Sequence, residues 1–129
     1  MNSIKVFCPA SVANVSCGFD CLGFSIKGPS DIIWIEEKKT AGLEIIVTGK
    51  KCKEISLDPK KNTAGKALLS FFNEVSEEPK YKIHIEKGIP PGSGLGSSAA
   101  SAVSSVFGMN TLLDQPLNDH ELLIHAMEG

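Results

Sequence analysis

The chain has 129 residues, enough for one domain with a real core. Its 13 basic and 15 acidic residues leave a net charge of −2, without the sustained basic surface of a nucleic-acid binder. No apolar run approaches the roughly 20 residues of a membrane span, and the N-terminus lacks the continuous apolar stretch of a secretory leader.

Ile4 to Cys8 alternates apolar and polar residues and predicts a strand, after which Pro9 and the small residues Ala10 to Ser16 predict an irregular loop. Cys21 to Ile26 and Asp31 to Glu37 read as two further strands separated by Lys27-Gly28-Pro29, and Leu43 to Thr48 as another. A helix is expected from about Thr63 to Val75, with Ala64, Ala67, Leu68, Phe71, Phe72 and Val75 on one core-facing side. Tyr81 to Glu86 alternates again. A long Ala/Ser/Val-rich helix follows from about Ser97 to Leu113, and Asn118 with Glu121 resembles a capping box that starts a last helix near Asp119. Strands first and helices later predict an α+β fold, a mixed sheet with helices on one side.

Between the last expected strand, Tyr81 to Glu86, and the long helix lies Gly88-Ile-Pro-Pro-Gly-Ser-Gly-Leu-Gly-Ser-Ser-Ala-Ala-Ser101. Glycines at 92, 94 and 96 let the backbone turn with positive φ and aim N–H groups inward, and the helix that follows starts with N–H groups lacking partners. A nucleotide phosphate would satisfy them. The segment is neither a Walker loop, since no Gly-Lys-Ser/Thr follows, nor a Gly-x-Gly-x-x-Gly dinucleotide fingerprint. From the residues alone, Ser97 and Ser98 serve equally as helix-capping or first-turn residues.

Other chemistry-bearing residues point to bland roles. Cys8, Cys17, Cys21 and Cys52 form no Cys-x2-Cys pair and have no partnering histidine spacing, which argues against zinc and for reduced thiols in a cytoplasmic protein. His120 and His125 are five apart, too far round a helix to share a metal as an i, i+4 pair does. His84 lies in an alternating strand and is expected to be structural. All 13 cations are lysines, so the chain has no arginine fork for a carboxylate.

The run Pro90-Pro91-Gly92-Ser93-Gly94-Leu95-Gly96-Ser97-Ser98-Ala99-Ala100 resembles the phosphate-binding motif of the GHMP kinases, named for galactokinase, homoserine, mevalonate and phosphomevalonate kinases. A second segment, residues 9–26, with Ala13-Asn14, Gly18-Phe19-Asp20 and Gly23, resembles the homoserine kinase branch; mevalonate kinases and galactokinases carry a Gly-Glu-His type sequence there.

The resemblance implies the GHMP-kinase N-terminal domain, similar to domain 2 of ribosomal protein S5, with ATP and Mg²⁺ as cofactors and L-homoserine as phosphoryl acceptor. It implies that Pro90 to Ala100 hold the ATP phosphates and that Ser98 is a Mg²⁺ ligand. The partner glutamate would fall about one residue beyond Gly129, with Glu128 a poorer substitute. Asn14 and Asp20 would contact homoserine, Asp20 through its ammonium, although from pattern alone both suit turn stabilisation. Asn62 and Lys87 would lie near the adenine; Asn62 suits a helix N-cap and Lys87 a solvated strand end equally well. No residue is assigned as general base. Such kinases are more than twice as long, so residues 1–129 are expected to be the N-terminal ATP-binding domain, with the C-terminal domain and its carboxylate-binding arginines absent. The alternatives are a GHMP kinase for another small alcohol and a non-catalytic fragment that binds nucleotide or forms a homodimer.

Overall fold

Four strands, β1 (Ser3–Val15), β2 (Gly18–Glu37), β3 (Gly42–Gly49) and β4 (Lys80–Lys87), form one mixed sheet in the order β1-β2-β4-β3. In this computed structural model the backbone of residues 2–15 and 18–129 is described, with the side chains of residues 2–11, 25 and 27–129. β2 runs antiparallel to both β1 and β4, whereas β3 and β4 are parallel. A parallel pair needs a crossover, which here carries α1 (Thr63–Val75). After β4 come α2 (Ser97–Leu112) and α3 (Asp119–Ala126), so the fold is α+β with the helices layered on one face of the sheet.

Two-residue periodicity decides which side chains meet that layer. Ile33 and Ile35 of β2, Ile45 of β3 and Tyr81, Ile83 and Ile85 of β4 are buried against Ala67, Leu68, Phe71 and Phe72 of α1 and Val106 and Met109 of α2. The intervening Trp34 and His84 point the other way, where their rings stack at 5.1 Å and Lys5 Nζ sits 5.0 Å over the indole. The same parity carries Asp31 and Lys87, at the ends of β2 and β4, onto the core side.

The N-terminal hairpin corrects two expectations. The loop expected from Ala10 to Ser16 is strand as far as Val15, and the strands expected on either side of Lys27-Gly28-Pro29 are one continuous β2. Prolines read as breakers are tolerated because Pro9 lies on an edge strand and Pro29 lies beyond the Ile32–Glu37 span of β2 that pairs with β4. The register jumps between Pro9↔Ser30 and Ser11↔Ser25, so residues 26–29 oppose Ala10 alone, a bulge of four residues against one. Beyond it the two strands continue as a ribbon, pairing with each other.

The helices start where their local chemistry says. Asn62 caps α1, its Oδ1 accepting from Ala64 N at 2.9 Å and Gly65 N at 3.2 Å. The capping box of α3 is formed in both directions, Glu121 N to Asn118 Oδ1 at 2.9 Å and Asn118 N to Glu121 Oε1 at 3.1 Å. Buried hydroxyls of α2 are satisfied within the helix: Ser104 donates to the Ala100 carbonyl and Ser105 to that of Ser101. Small residues bring α2 close to the sheet, and a Cβ at Gly108 would collide with Val6.

Candidate functional site

Between the end of β4 and the start of α2, residues 88–96 form the glycine-rich loop. A Ser93 N to Pro90 carbonyl bond of 3.2 Å makes its turn, and Ser93 Oγ accepts from Leu95 N at 3.3 Å. Ser97 Oγ donates to the Ile89 carbonyl at 3.1 Å, tying the exit of the loop to its entrance. Its base is a small apolar cluster of Ala10, Ile89 and Ala100 with Cys8 and Leu95, and Ser11 N donates to the Leu95 carbonyl at 2.9 Å.

The glycines divide into two kinds. Gly94 has φ 77°, and a Cβ there would meet nothing within 4 Å, so its left-handed backbone borders open space. Gly96 has φ 75° and is the N-cap of α2; a Cβ there would run into Ser11 Oγ. Among the described residues no side chain caps α2, and Ser98 and Ala99 in its first turn are exposed. An uncapped helix start with a main-chain loop and open space before it is the arrangement that receives an anion.

Beneath the loop lies a buried ion pair. Asp31 is fully buried and Lys87 is 3% exposed; the Lys87 ammonium contacts Asp31 Oδ2 and donates to the Ser97 carbonyl at 3.0 Å and Ser101 Oγ at 3.1 Å. Asp31 Oδ1 accepts from Gly88 N and Ile89 N, each at 3.0 Å. Lys87 is therefore no solvated strand end: the inward parity of Ile83 and Ile85 carries it into the interior, where Asp31 neutralises it. Asp31 was invisible as a site residue from its own neighbourhood. Its sequence signal is its parity with Ile33 and Ile35, matched by the parity of Lys87. Beside the pair, burial raises the Cys8 thiol above its ordinary pKa; the Asp31 carboxylate adds to the rise and Lys87 opposes it.

A cleft of about 240 Å³ opens between the first turn of α2 and the start of α1. Ser97, Ser98, Lys87, Pro91, Asn62 and Thr63 contribute to its walls, together with Ile55 and Ser56 after the 3-10 turn Cys52–Glu54. Asn62 thus borders the cleft, but its oxygen caps α1 and its Nδ2 donates to the Ser56 carbonyl at 2.8 Å. Gly129, after α3, lies where a Cβ would meet Ala102 and the Thr63 carbonyl, and Glu128 beside it is exposed.

The remaining candidates are dispersed. Asn14 and Asp20 lie on the ribbon of β1 and β2, and their side chains are outside the described residues. His125 is buried with Nδ1 2.6 Å from Ser70 Oγ, joining α3 to α1, while His120 is exposed. His84 Nε2 is 3.0 Å from Thr48 Oγ1 on the outer sheet face. Cys8 and Cys52 are free thiols. Among the described residues no group of three His, Cys, Asp or Glu side chains could hold a metal, and no helix is long and apolar enough to cross a membrane.

Residues 62–129, from the α1 cap through the glycine loop to the end of α3, match the family model of the GHMP kinases N-terminal domain, and the chain belongs to that family. It is 38% identical over 129 residues to a homoserine kinase of Methanococcus vannielii, covering 100% of this chain and 43% of that protein. A homoserine kinase crystal structure from Cytophaga hutchinsonii superimposes with a TM-score of 0.93 at 41% identity, over 99% of this chain and 41% of that one. The Methanococcus jannaschii mevalonate kinase, at 21% identity and a TM-score of 0.71 over 97% of this chain and 45% of that one, shares the fold. The chain spans about two fifths of the length of the homoserine kinases it matches.

Proposed function

We propose that this chain is the nucleotide-binding part of a kinase that moves the γ-phosphoryl group of ATP to the side-chain hydroxyl of L-homoserine, on the route to threonine. The observation that carries the reading is the glycine loop, open at Gly94, leading into the uncapped start of α2 in a chain 41% identical to a homoserine kinase. Main-chain N–H groups of Gly92, Gly94 and Gly96 to Ala99 would receive the phosphates, those of Ser93 and Leu95 being engaged within the loop. Asn62 and Lys87, with their polar atoms held internally, would offer the adenine the wall of the cleft rather than free side-chain donors.

Mg²⁺ fits the chemistry of the exposed Ser98 hydroxyl, a hard oxygen ligand of the kind the ion takes. When bound it would offset the charge gathering on the transferring phosphoryl group. Asn14 and Asp20 would orient homoserine, Asp20 through the substrate ammonium. Transfer would then rest on positioning and electrostatic stabilisation, the acceptor proton passing to a phosphate oxygen, since no general base is assigned. The free thiols Cys8 and Cys52 fit a reducing, cytoplasmic setting.

In a polypeptide that carries this chain and the further length its relatives have, initial rates with homoserine, mevalonate and galactose at equal MgATP test the reading. Homoserine should be fastest; faster turnover of mevalonate or galactose would move the protein to another GHMP branch. A second reading, a fragment that binds nucleotide without catalysis, is favoured for the isolated chain by its 13 cations being lysines, with no arginine for the substrate carboxylate.

A further inference from the structure

We propose that Asp31 and Lys87 act as positioning residues for the glycine-rich loop, pinning its entrance and its exit to one buried charge pair and so fixing the shape in which it meets phosphate. The role in phosphate binding rests on the nucleotide reading above; the clamp itself rests on geometry. On the entrance side, Asp31 Oδ1 holds the consecutive N–H groups of Gly88 and Ile89 at 3.0 Å each. On the exit side, the Lys87 ammonium holds the Ser97 carbonyl at 3.0 Å and Ser101 Oγ at 3.1 Å, both in the first turns of α2. Its remaining donor goes to Asp31, so all three ammonium protons and both carboxylate oxygens are engaged.

Stability does not explain such a pair. Removing two charges from water costs as much as their attraction returns, and well-packed apolar residues of similar volume usually serve a core as well or better. An apolar pair, however, could not accept from two successive backbone N–H groups or hold a carbonyl at a helix start. Those are the groups that set the path of residues 90–96, the stretch with open space at Gly94.

The test compares the wild-type chain with Lys87→Met, with the apolar double variant Asp31→Leu/Lys87→Met, and with the milder Ser101→Ala. Residue-resolved amide exchange of the ligand-free chain is read at Gly88, Ile89 and Ala100, with Leu68 and Phe71 of α1 reporting global opening. MgATP affinity is measured by calorimetry on the same samples. In Lys87→Met, exchange at the three loop-flanking amides should rise at least about tenfold beyond any change at Leu68 and Phe71. MgATP should bind at least about tenfold more weakly. The double variant should regain wild-type urea resistance but neither loop protection nor affinity. Ser101→Ala should raise Ala100 exchange about threefold with the fold intact, which keeps the test decisive if the others do not fold. Restored protection and affinity in the double variant, or unchanged exchange in Ser101→Ala and Lys87→Met, would overturn the clamp. A wild-type chain with protected loop amides and no MgATP affinity would instead refute the nucleotide reading, and exchange alone would then decide the clamp.

Discussion

Alanine at Gly94 and alanine at Gly96 should have different consequences, although both glycines sit in the left-handed region of the same loop. Placing a Cβ on left-handed backbone costs about 1–2 kcal/mol. At Gly94 that is the whole penalty, because the new methyl meets nothing within 4 Å. At Gly96 the methyl also strikes Ser11 Oγ on β1, and overpacking of this kind adds about 1–3 kcal/mol. Gly96→Ala should therefore lose about 2–5 kcal/mol, a large share of the roughly 5–15 kcal/mol a domain has to spare. Urea unfolding at fixed pH measures both. Ser11→Ala supplies the control: it removes Oγ and leaves Cβ 3.5 Å from the new methyl, an ordinary contact. In the Gly96→Ala background it should recover the overpacking part, bringing the loss near that of Gly94→Ala. MgATP titration should rank the single variants the other way, Gly94→Ala weakening affinity at little cost in stability because it occupies the open side of the loop. Equal destabilisation by the two alanines, or no recovery from Ser11→Ala, would refute the division of the loop into a structural and a ligand-facing glycine.

Asn62→Ala should cost about 1–2 kcal/mol by urea unfolding, since it strips the cap from Ala64 N and Gly65 N, and Asn62→Asp should recover most of it. Alkaline stability should fall more steeply in the wild-type chain than in Cys8→Ala. A thiol whose folded pKa is raised keeps its proton after the unfolded chain has released its own, so its contribution is lost as pH rises above the ordinary 9.0. Urea midpoints followed from about pH 8 upward with identical slopes would dismiss this. Tyr81, raised first by burial and then by Glu77 and Glu37, acts in the same direction above 10.0 and remains in both proteins, so it cancels in the comparison. The isolated 129-residue chain should show no homoserine-dependent ATP turnover in a coupled assay; rates near the roughly 1–100 per second of kinases would show that it holds a complete active site.

Elements governed by their own neighbourhood were legible in the sequence. The α1 face of Ala64, Ala67, Leu68, Phe71 and Phe72 follows from spacing alone, and the α3 capping box from two residues three apart. The glycine loop was legible for the same reason, its shape being written in the alternate glycines 92, 94 and 96. The β1–β2 hairpin was not, because Pro9, Gly28 and Pro29 signal interruption locally while edge position and a bulge permit extended chain. Nor was the pairing of Asp31 with Lys87: each residue looks like the polar end of a strand, and only the antiparallel register brings side chains 56 residues apart together beneath the loop.

The single tryptophan of this chain faces away from the helices, under Lys5 and against His84 on the outer side of the sheet. Its emission is an optical probe of one surface, sensitive to the pairing of β1, β2 and β4 and to the charge above the indole. A state in which the helical layer loosened while the sheet persisted would leave that signal nearly unchanged and lower the helical circular dichroism. Melting curves from the two methods therefore report on opposite sides of the molecule, and agreement between them would be direct evidence that both layers unfold together.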